Sequence, residues 1–120
     1  MTRLLDTFDL IELMEDDPDF VGVFSLDTLP RGINKHMPFK LIVNLQPRDK
    51  PGTHWIAISR ALGGEAYYFD TFGRKPPPTI ASWLNNNSYK WRYSTTAIQV
   101  AKDKVSCGYL CINFLQRLEF

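Results

Sequence analysis

The chain has 120 residues, 44% of them hydrophobic and 22% charged, and its 14 basic and 13 acidic residues leave a net charge of +1. That length closes one hydrophobic core but not two, and the composition excludes disordered and collagen-like classes. The small net charge excludes a global electrostatic attraction to nucleic acid or anionic lipid. No apolar run reaches the length of a membrane span, so we expect a single domain over residues 1–120 that neither enters a membrane nor is secreted.

The first half of the chain predicts one helix followed by four strands. Acidic residues between apolar ones at steps of three and four predict an amphipathic helix over Asp6–Glu15. Runs rich in β-branched and aromatic residues predict strands. These runs are Phe20–Ser25, Phe39–Leu45, His54–Ser59 and Glu65–Thr71. The Gly63-Gly64 pair predicts a turn, so the last two strands should form an antiparallel hairpin.

The second half begins with a proline-rich segment, Phe72–Pro78, which predicts a surface loop because proline donates no backbone hydrogen bond. Thr79 is the predicted N-cap of a short helix that the asparagines Asn85–Asn87 should end. Two weak strand signals and a last helix follow, at Trp91–Tyr93, Ala97–Val100 and Ser106–Leu118. The predicted fold class is therefore α+β, with a small, mainly antiparallel sheet flanked by helices.

Both cysteines, Cys107 and Cys111, lie in the last predicted helix. At a helix start, the dipole and the unpaired backbone N–H groups lower the pKa of a thiol. Cys107 is therefore a candidate nucleophile, and Gly108 after it leaves room for a substrate backbone. Cys111, one turn later among apolar residues, is predicted to lie in the core. Positions four apart on a helix do not suit a disulfide, so both thiols should be free.

A cysteine nucleophile needs a base, and the chain offers two histidines. His36, in a charged loop, is predicted to be a solvated surface residue. His54 begins a strand beside Trp55, at the rim of the sheet, where catalytic groups often lie. Asp70 ends the neighbouring antiparallel strand, so the spacing permits a hydrogen bond that would hold the imidazole in one tautomer. Taken alone, each residue is more often structural, and Asp70 would then cap the turn that follows it.

The remaining polar residues give weaker indications of a functional site. The side-chain amide of Gln99, shortly before the cysteine helix, is a candidate donor to an oxyanion. Two cysteines and two scattered histidines match no usual zinc spacing, so no metal site is predicted. Basic pairs interleaved with aromatic residues offer at most weak contact with DNA phosphates or an acidic peptide. These pairs are Arg74/Lys75, Lys90/Arg92 and Lys102/Lys104.

The order His, Asp, Gln, Cys is carried by G-T-H-W-I-A-I, then Y-F-D-T-F-G, then a glutamine, then S-C-G-Y-L-C-I-N-F-L. It resembles the adenovirus-type cysteine endopeptidases (adenain) and the related proteases encoded by adintovirus- or Polinton-like DNA elements. The resemblance covers about residues 21–118 and implies a fold with the nucleophile at the N-terminus of a central helix. It implies a catalytic set made of His54 as general base, Asp70 as its orienting acid, Cys107 as nucleophile, and Gln99 with the Cys107 N–H as oxyanion hole. It also implies that Trp55 packs beside the site and that Gly108 keeps the helix start open.

The same resemblance implies a function. Such enzymes mature viral structural precursors by cutting at small-residue sites, Gly-Gly or Gly-x, and their chemistry requires no cofactor. It further implies stimulation by DNA or by a short viral peptide, a monomer, and a location in the virion or in the host nucleus or cytoplasm. One alternative is a protease that removes SUMO or another ubiquitin-like modifier, because such enzymes share the residue order and the preference for Gly-Gly. Another is a non-catalytic α/β binding module with His54 and Cys107 in its core.

Overall fold

The computed structural model describes residues 4–34, 36–45, 54–98 and 106–120. Its elements, in chain order, are α1 (Thr7–Met14), β1 (Phe20–Ser25), β2 (Phe39–Asn44), β3 (Trp55–Arg60), β4 (Glu65–Phe69), α2 (Pro78–Asn87), β5 (Lys90–Tyr93) and α3 (Ser106–Gln116). The predicted α+β class is confirmed, and the first four strands lie within two residues of their predicted bounds. Among the described residues, no helix has both the length and the apolar character needed to cross a bilayer.

The five strands form one sheet in the order β1-β2-β3-β4-β5. The two inner pairs, β2 with β3 and β3 with β4, are antiparallel, whereas the outer pairs, β1 with β2 and β4 with β5, are parallel. The sheet is therefore mixed: the inner strands pair antiparallel as predicted, whereas both edge strands pair parallel. For β5 the physical reason is α2, which returns the chain to the same end of the sheet, as a parallel pair requires.

Helices cover both faces of the sheet, so the central strands β2 and β3 are buried on both sides. On one face, α1 and α3 pack around the cluster Leu5, Leu10, Met14, Ile42, Trp55, Ala57, Cys107, Cys111, Ile112 and Leu115. On the other face, α2 packs around the cluster Phe39, Leu41, Val43, Ile56, Ile58, Ala66, Tyr68, Ile80, Trp83 and Leu84. The alternation of neighbouring residues between the two clusters is the period-two pattern of a strand.

Helix α2 is longer at both ends than predicted. It begins at Pro78, with Pro77 as an extended N-cap that makes no side-chain hydrogen bond, so Thr79 is not the cap. A proline suits the first helical position because its fixed φ is helical and its missing N–H has no partner there anyway. The asparagines do not end the helix early, since the Asn87 side-chain amide donates to the Trp83 carbonyl, 2.8 Å away, within the last turn.

The weak strand signal at Ala97–Val100 is wrong for its described half. Ala97 and Ile98 belong to no strand, although the Ile98 N–H donates to the Thr71 carbonyl at 2.8 Å. The other half of this segment lies outside the described residues. The contact nevertheless fixes the chain after β5 beside the end of β4.

Candidate active site

One edge of the sheet brings His54 and Asp70 together. His54 immediately precedes β3 and Asp70 immediately follows β4, and these strands are antiparallel, so the two residues share an edge. His54 Nε2 lies 2.9 Å from Asp70 Oδ1. The Asp70 side chain is only 1% exposed, so little water competes for this hydrogen bond.

Asp70 also fixes the turn that follows β4. Its Oδ1 accepts a second hydrogen bond from the Phe72 N–H at 2.8 Å, and its carbonyl accepts one from the Gly73 N–H at 2.8 Å. Ser94, after β5, holds the same residue, because its hydroxyl donates to the Asp70 carbonyl at 3.1 Å. Asp70 therefore caps the turn and contacts the imidazole at once. No pattern in the sequence marked the contribution of Ser94.

Cys107 is the second residue of α3, and its side chain is fully buried against β3. The Trp55 N–H donates to Cys107 Sγ at 3.5 Å. The imidazole of His54 also hydrogen-bonds to the Cys107 side chain. His54 thus connects the carboxylate at the end of β4 with the thiol at the start of α3.

Of the two groups, the His54 imidazole and not the Cys107 thiol preferentially binds the proton. Burial alone would lower the pKa of His54, but the hydrogen bonds and charges of Asp70 and Cys107 raise it to about 9. Burial alone would raise the pKa of Cys107, but contacts with the His54 imidazole and with the N–H groups of Trp55 and Gly108 lower it below its ordinary value. The pair therefore favours imidazolium and thiolate, the reactive form of a catalytic cysteine.

Cys111 lies one turn further along α3 in a different environment. Its thiol is fully buried and donates to the Trp55 carbonyl at 3.4 Å. Burial raises the pKa of Cys111 well above its ordinary value, so this thiol stays protonated and unreactive. The predictions that Cys111 is a core residue and that both thiols are free are confirmed.

Trp55 and Gly108 pack together with Leu5, the second described residue of the chain. The Trp55 indole N–H donates to the Leu5 carbonyl at 3.1 Å. A Cβ added to Gly108 would lie 3.3 Å from both the Leu5 Cβ and the Trp55 Cδ1. The space beside Gly108 is therefore filled by the protein's own side chains, and glycine lets α3 approach β3 closely. That Gly108 leaves room for a substrate backbone stays a prediction, and no sequence signal pointed to Leu5.

The two remaining candidates lie elsewhere. Gln99 lies outside the described residues, although Ile98 before it is held beside Thr71. His36 is exposed and lines a cleft with Arg60, the last residue of β3, at the opposite end of that strand from His54. The structure thus places His54, Asp70 and Cys107 in contact and leaves His36 apart from them.

A helix-start thiol joined through an imidazole to a buried carboxylate is the arrangement that cysteine proteases use. No protein-family model matches the sequence. The protease of fowl adenovirus A serotype 1 (strain CELO/Phelps) is 36% identical over 66 residues, which cover 54% of this chain and 32% of that protein. Two crystal structures of the ASFV pS273R protease, one with selenomethionine, match 99% of this chain with TM-scores of 0.69 and 0.66 at 15% and 16% identity.

The chain is thus related in sequence to a viral protease, and it shares the fold of another. The matched parts amount to 32% of the adenovirus protein and to 61% and 60% of the two ASFV chains. The predicted resemblance to the adenovirus-type endopeptidases is confirmed by the first comparison, and the predicted fold by the second.

Proposed function

We propose that the protein is a cysteine endopeptidase in which Cys107 is the nucleophile, His54 the general acid and base, and Asp70 the group that orients His54. One observation carries this proposal: the partly buried imidazole contacts both the Asp70 carboxylate and the Cys107 thiol. The relationship to a viral protease supports the same reaction class.

In this proposal the three residues carry out each step of peptide hydrolysis. The Cys107 thiolate forms a bond to the scissile carbonyl carbon, and the C=O π electrons move to oxygen. When the C–N bond breaks, the His54 imidazolium gives its proton to the leaving amine, and a thioester remains. The neutral imidazole then takes a proton from water, whose oxygen attacks the thioester and releases the acid and the thiolate. The negative charge of Asp70 stabilises the imidazolium that each cycle needs.

The oxyanion of the tetrahedral intermediate needs hydrogen-bond donors in a fixed position. We assign this role to the backbone N–H of Cys107 and the side-chain amide of Gln99. The first donor is supported by the position of Cys107 in the first turn of α3, where backbone N–H groups have no intrahelical partners. The second rests on the resemblance to the adenovirus-type enzymes.

The substrates in this proposal are viral structural precursors cut at Gly-Gly or Gly-x sites, within the virion or the infected cell. The adenovirus relative supports a viral protein substrate. Stimulation by DNA would involve weak contacts, because Arg92 and Lys90 on β5 lie 3.0 and 3.8 Å from Glu65, which offsets part of their charge. This part of the proposal rests on resemblance rather than on geometry.

The test combines thiol reactivity with cleavage. Iodoacetamide labelling across pH 4 to 9, read by mass spectrometry, should modify Cys107 at a pH below the ordinary thiol range and spare Cys111. A peptide with an internal Gly-Gly bond should be cut by the unsubstituted protein, with and without duplex DNA. Cys107→Ala should abolish cleavage, and His54→Ala should lower its rate by roughly 10²–10⁴-fold.

The matched control is His36→Ala, which removes an exposed histidine far from the pair and should change neither readout. Cleavage of intact SUMO or ubiquitin precursors, with no cleavage of the peptide, would instead identify a modifier-removing protease. Slow and equal labelling of Cys107 and Cys111, indifferent to His54, would overturn the catalytic assignment and leave a binding module.

A further inference from the structure

The aromatic ring of Phe72 packs against the imidazole of His54. The ring centroids are 4.8 Å apart and the planes are inclined by 31°. Phe72 belongs to none of the three groups that exchange protons or attack the substrate, yet it contacts the group on which both steps depend. Aromatic pairs at this separation attract each other beyond the simple burial of their surfaces.

Hydrogen bonds alone leave one motion of the imidazole unrestrained. The contacts of His54 with Asp70 and Cys107 fix the ring at two points. The ring can still turn about the line joining those points with little change in either distance, and such a turn spoils hydrogen-bond angles. A flat side chain against the ring opposes this motion. The Phe72 ring is in that position.

The backbone that carries Phe72 is itself well fixed. Its N–H donates to Asp70 Oδ1, the same atom that contacts His54 Nε2, so one oxygen sets both ring positions. A Cβ added to Gly73, whose φ is +71°, would come within 2.9 to 3.0 Å of backbone atoms of residues 95–97. The turn is therefore pressed against the chain after β5, and it holds Phe72 in place.

Arg74 packs against the same Phe72 ring. Its guanidinium carbon lies 4.7 Å from the centroid of the Phe72 ring, a cation–π distance. Of the described residues, Asp70 at the end of β4 and Cys107 on α3 are the titratable groups that interact with His54, and Arg74 contacts the Phe72 ring. The Phe72 ring thus contacts both the Arg74 guanidinium and the His54 imidazole.

We propose that Phe72, supported by Arg74, is a positioning residue that holds the plane of the His54 imidazole and favours its charged form. This inference rests on the proposed function, because it assigns Phe72 a role in keeping the imidazolium–thiolate pair of that same site. It predicts that an aromatic ring, and not merely an apolar side chain, is required at position 72.

The test needs no substrate. We would compare Phe72→Leu and Phe72→Tyr with the unsubstituted protein, measuring the pH profile of Cys107 alkylation and the NMR titration of His54. Phe72→Leu should slow Cys107 alkylation at pH 7 by about two- to tenfold, the range that the loss of an aromatic pair gives, and should lower the titration midpoint of His54. Phe72→Tyr, which keeps the ring, should stay within about twofold of the original rate.

Phe114→Leu is the matched control. Phe114 on α3 stacks on Phe69, with centroids 4.5 Å apart, and its ring contacts among the described residues are with Phe69 and Tyr67, not with His54. The Phe114→Leu substitution should lower the melting temperature but leave the pH profile of Cys107 alkylation unchanged. If Phe72→Leu does not fold, Phe72→Met serves in its place, because it keeps a long apolar side chain without a ring and should slow Cys107 alkylation and lower the His54 midpoint in the same way.

The possible failures are distinct. If Cys107 of the unsubstituted protein reacts no faster than Cys111, the proposed function fails, and the role of Phe72 fails with it. If Cys107 is reactive but folded Phe72→Leu has the original alkylation profile and the original His54 midpoint, only the inference about Phe72 is overturned. A fall in rate with Phe72→Tyr as large as with Phe72→Leu would also contradict it.

Discussion

One carboxylate oxygen of Asp70 accepts hydrogen bonds from the His54 side chain and from the Phe72 backbone. The two candidate interpretations of Asp70, a turn cap and a partner of the histidine, therefore describe the same atom. The contact could be predicted because antiparallel strands joined by a short turn place the start of one beside the end of the other. The hydrogen bonds that Ser94 donates to Asp70 and that Trp55 donates to Leu5 could not be predicted, because they join side chains to backbone atoms with no periodic signal.

Asp70→Asn tests the charge of this residue separately from its shape. Asparagine keeps an oxygen that can accept from Phe72 but removes the negative charge, so the pKa of His54 should fall below about 9 and the pKa of Cys107 should rise. Since only the thiolate reacts, alkylation of Cys107 near neutral pH should slow by about tenfold for each unit by which its pKa rises. The exposed carboxylate Glu12 offers the control Glu12→Gln, which should not shift the profile. An unchanged profile in Asp70→Asn would show that the carboxylate charge does not set the reactivity.

At the scale of elements, the sequence predicted the positions of the strands better than it predicted which helical residues are exposed. Runs rich in β-branched and aromatic residues locate β1 to β4, and the inner strands β2 and β3 are apolar throughout because both of their faces are buried. Phe8 is one of the apolar residues of the predicted helix Asp6–Glu15, yet its side chain is 81% exposed, and only Leu10 and Met14 of α1 are buried. The spacing of apolar residues predicts a helix, but which of them become buried depends on residues far away in the sequence that pack against it. The same applies to β5, whose parallel pairing follows from the path of α2.

Gly73→Ala tests the turn between β4 and α2. The substitution meets a φ of +71° and backbone atoms within 3.0 Å, so it should lower the free energy of unfolding by about 1–3 kcal/mol. Gly63→Ala is the matched control in the turn between β3 and β4, where no atom lies within 4 Å of the added carbon and φ is not positive. Urea denaturation measures both. Equal stability of the two variants would show that residues 95–97 move away from the turn at no cost.

At the scale of the whole molecule, Lys40 joins three distant parts of the chain. This side chain is 3% exposed and its Nζ lies 2.7 Å from Asp17 Oδ2 and 2.8 Å from the Leu118 carbonyl. It thereby connects β2 with the segment before β1 and with the chain after α3. A lysine is rarely buried unless its charge is paired, so the fold requires this contact, unlike an exposed ion pair.

Lys40→Ala should therefore lower the free energy of unfolding by about 3–5 kcal/mol, since it leaves Asp17 without its partner and opens a cavity. Lys40→Met, which fills the space without the charge, should cost less. Lys90→Ala is the matched control, because Lys90 is 63% exposed and its contact with Glu65 is 3.8 Å, so its loss should change stability by less than about 1 kcal/mol. Similar denaturation midpoints for Lys40→Ala and Lys90→Ala would refute this account.

The position of Cys107 has a consequence for the time at which reactivity arises during synthesis. The histidine and the aspartate belong to the β3–β4 hairpin, whereas the thiol is on α3, 53 residues after His54 in the sequence. A ribosome thus releases the hairpin well before the helix that completes the pair, and a nascent chain carries no activated thiol until α3 docks on the sheet. The proposed nucleophile thus lies in the last helix, whose docking on the sheet completes the core that contains it.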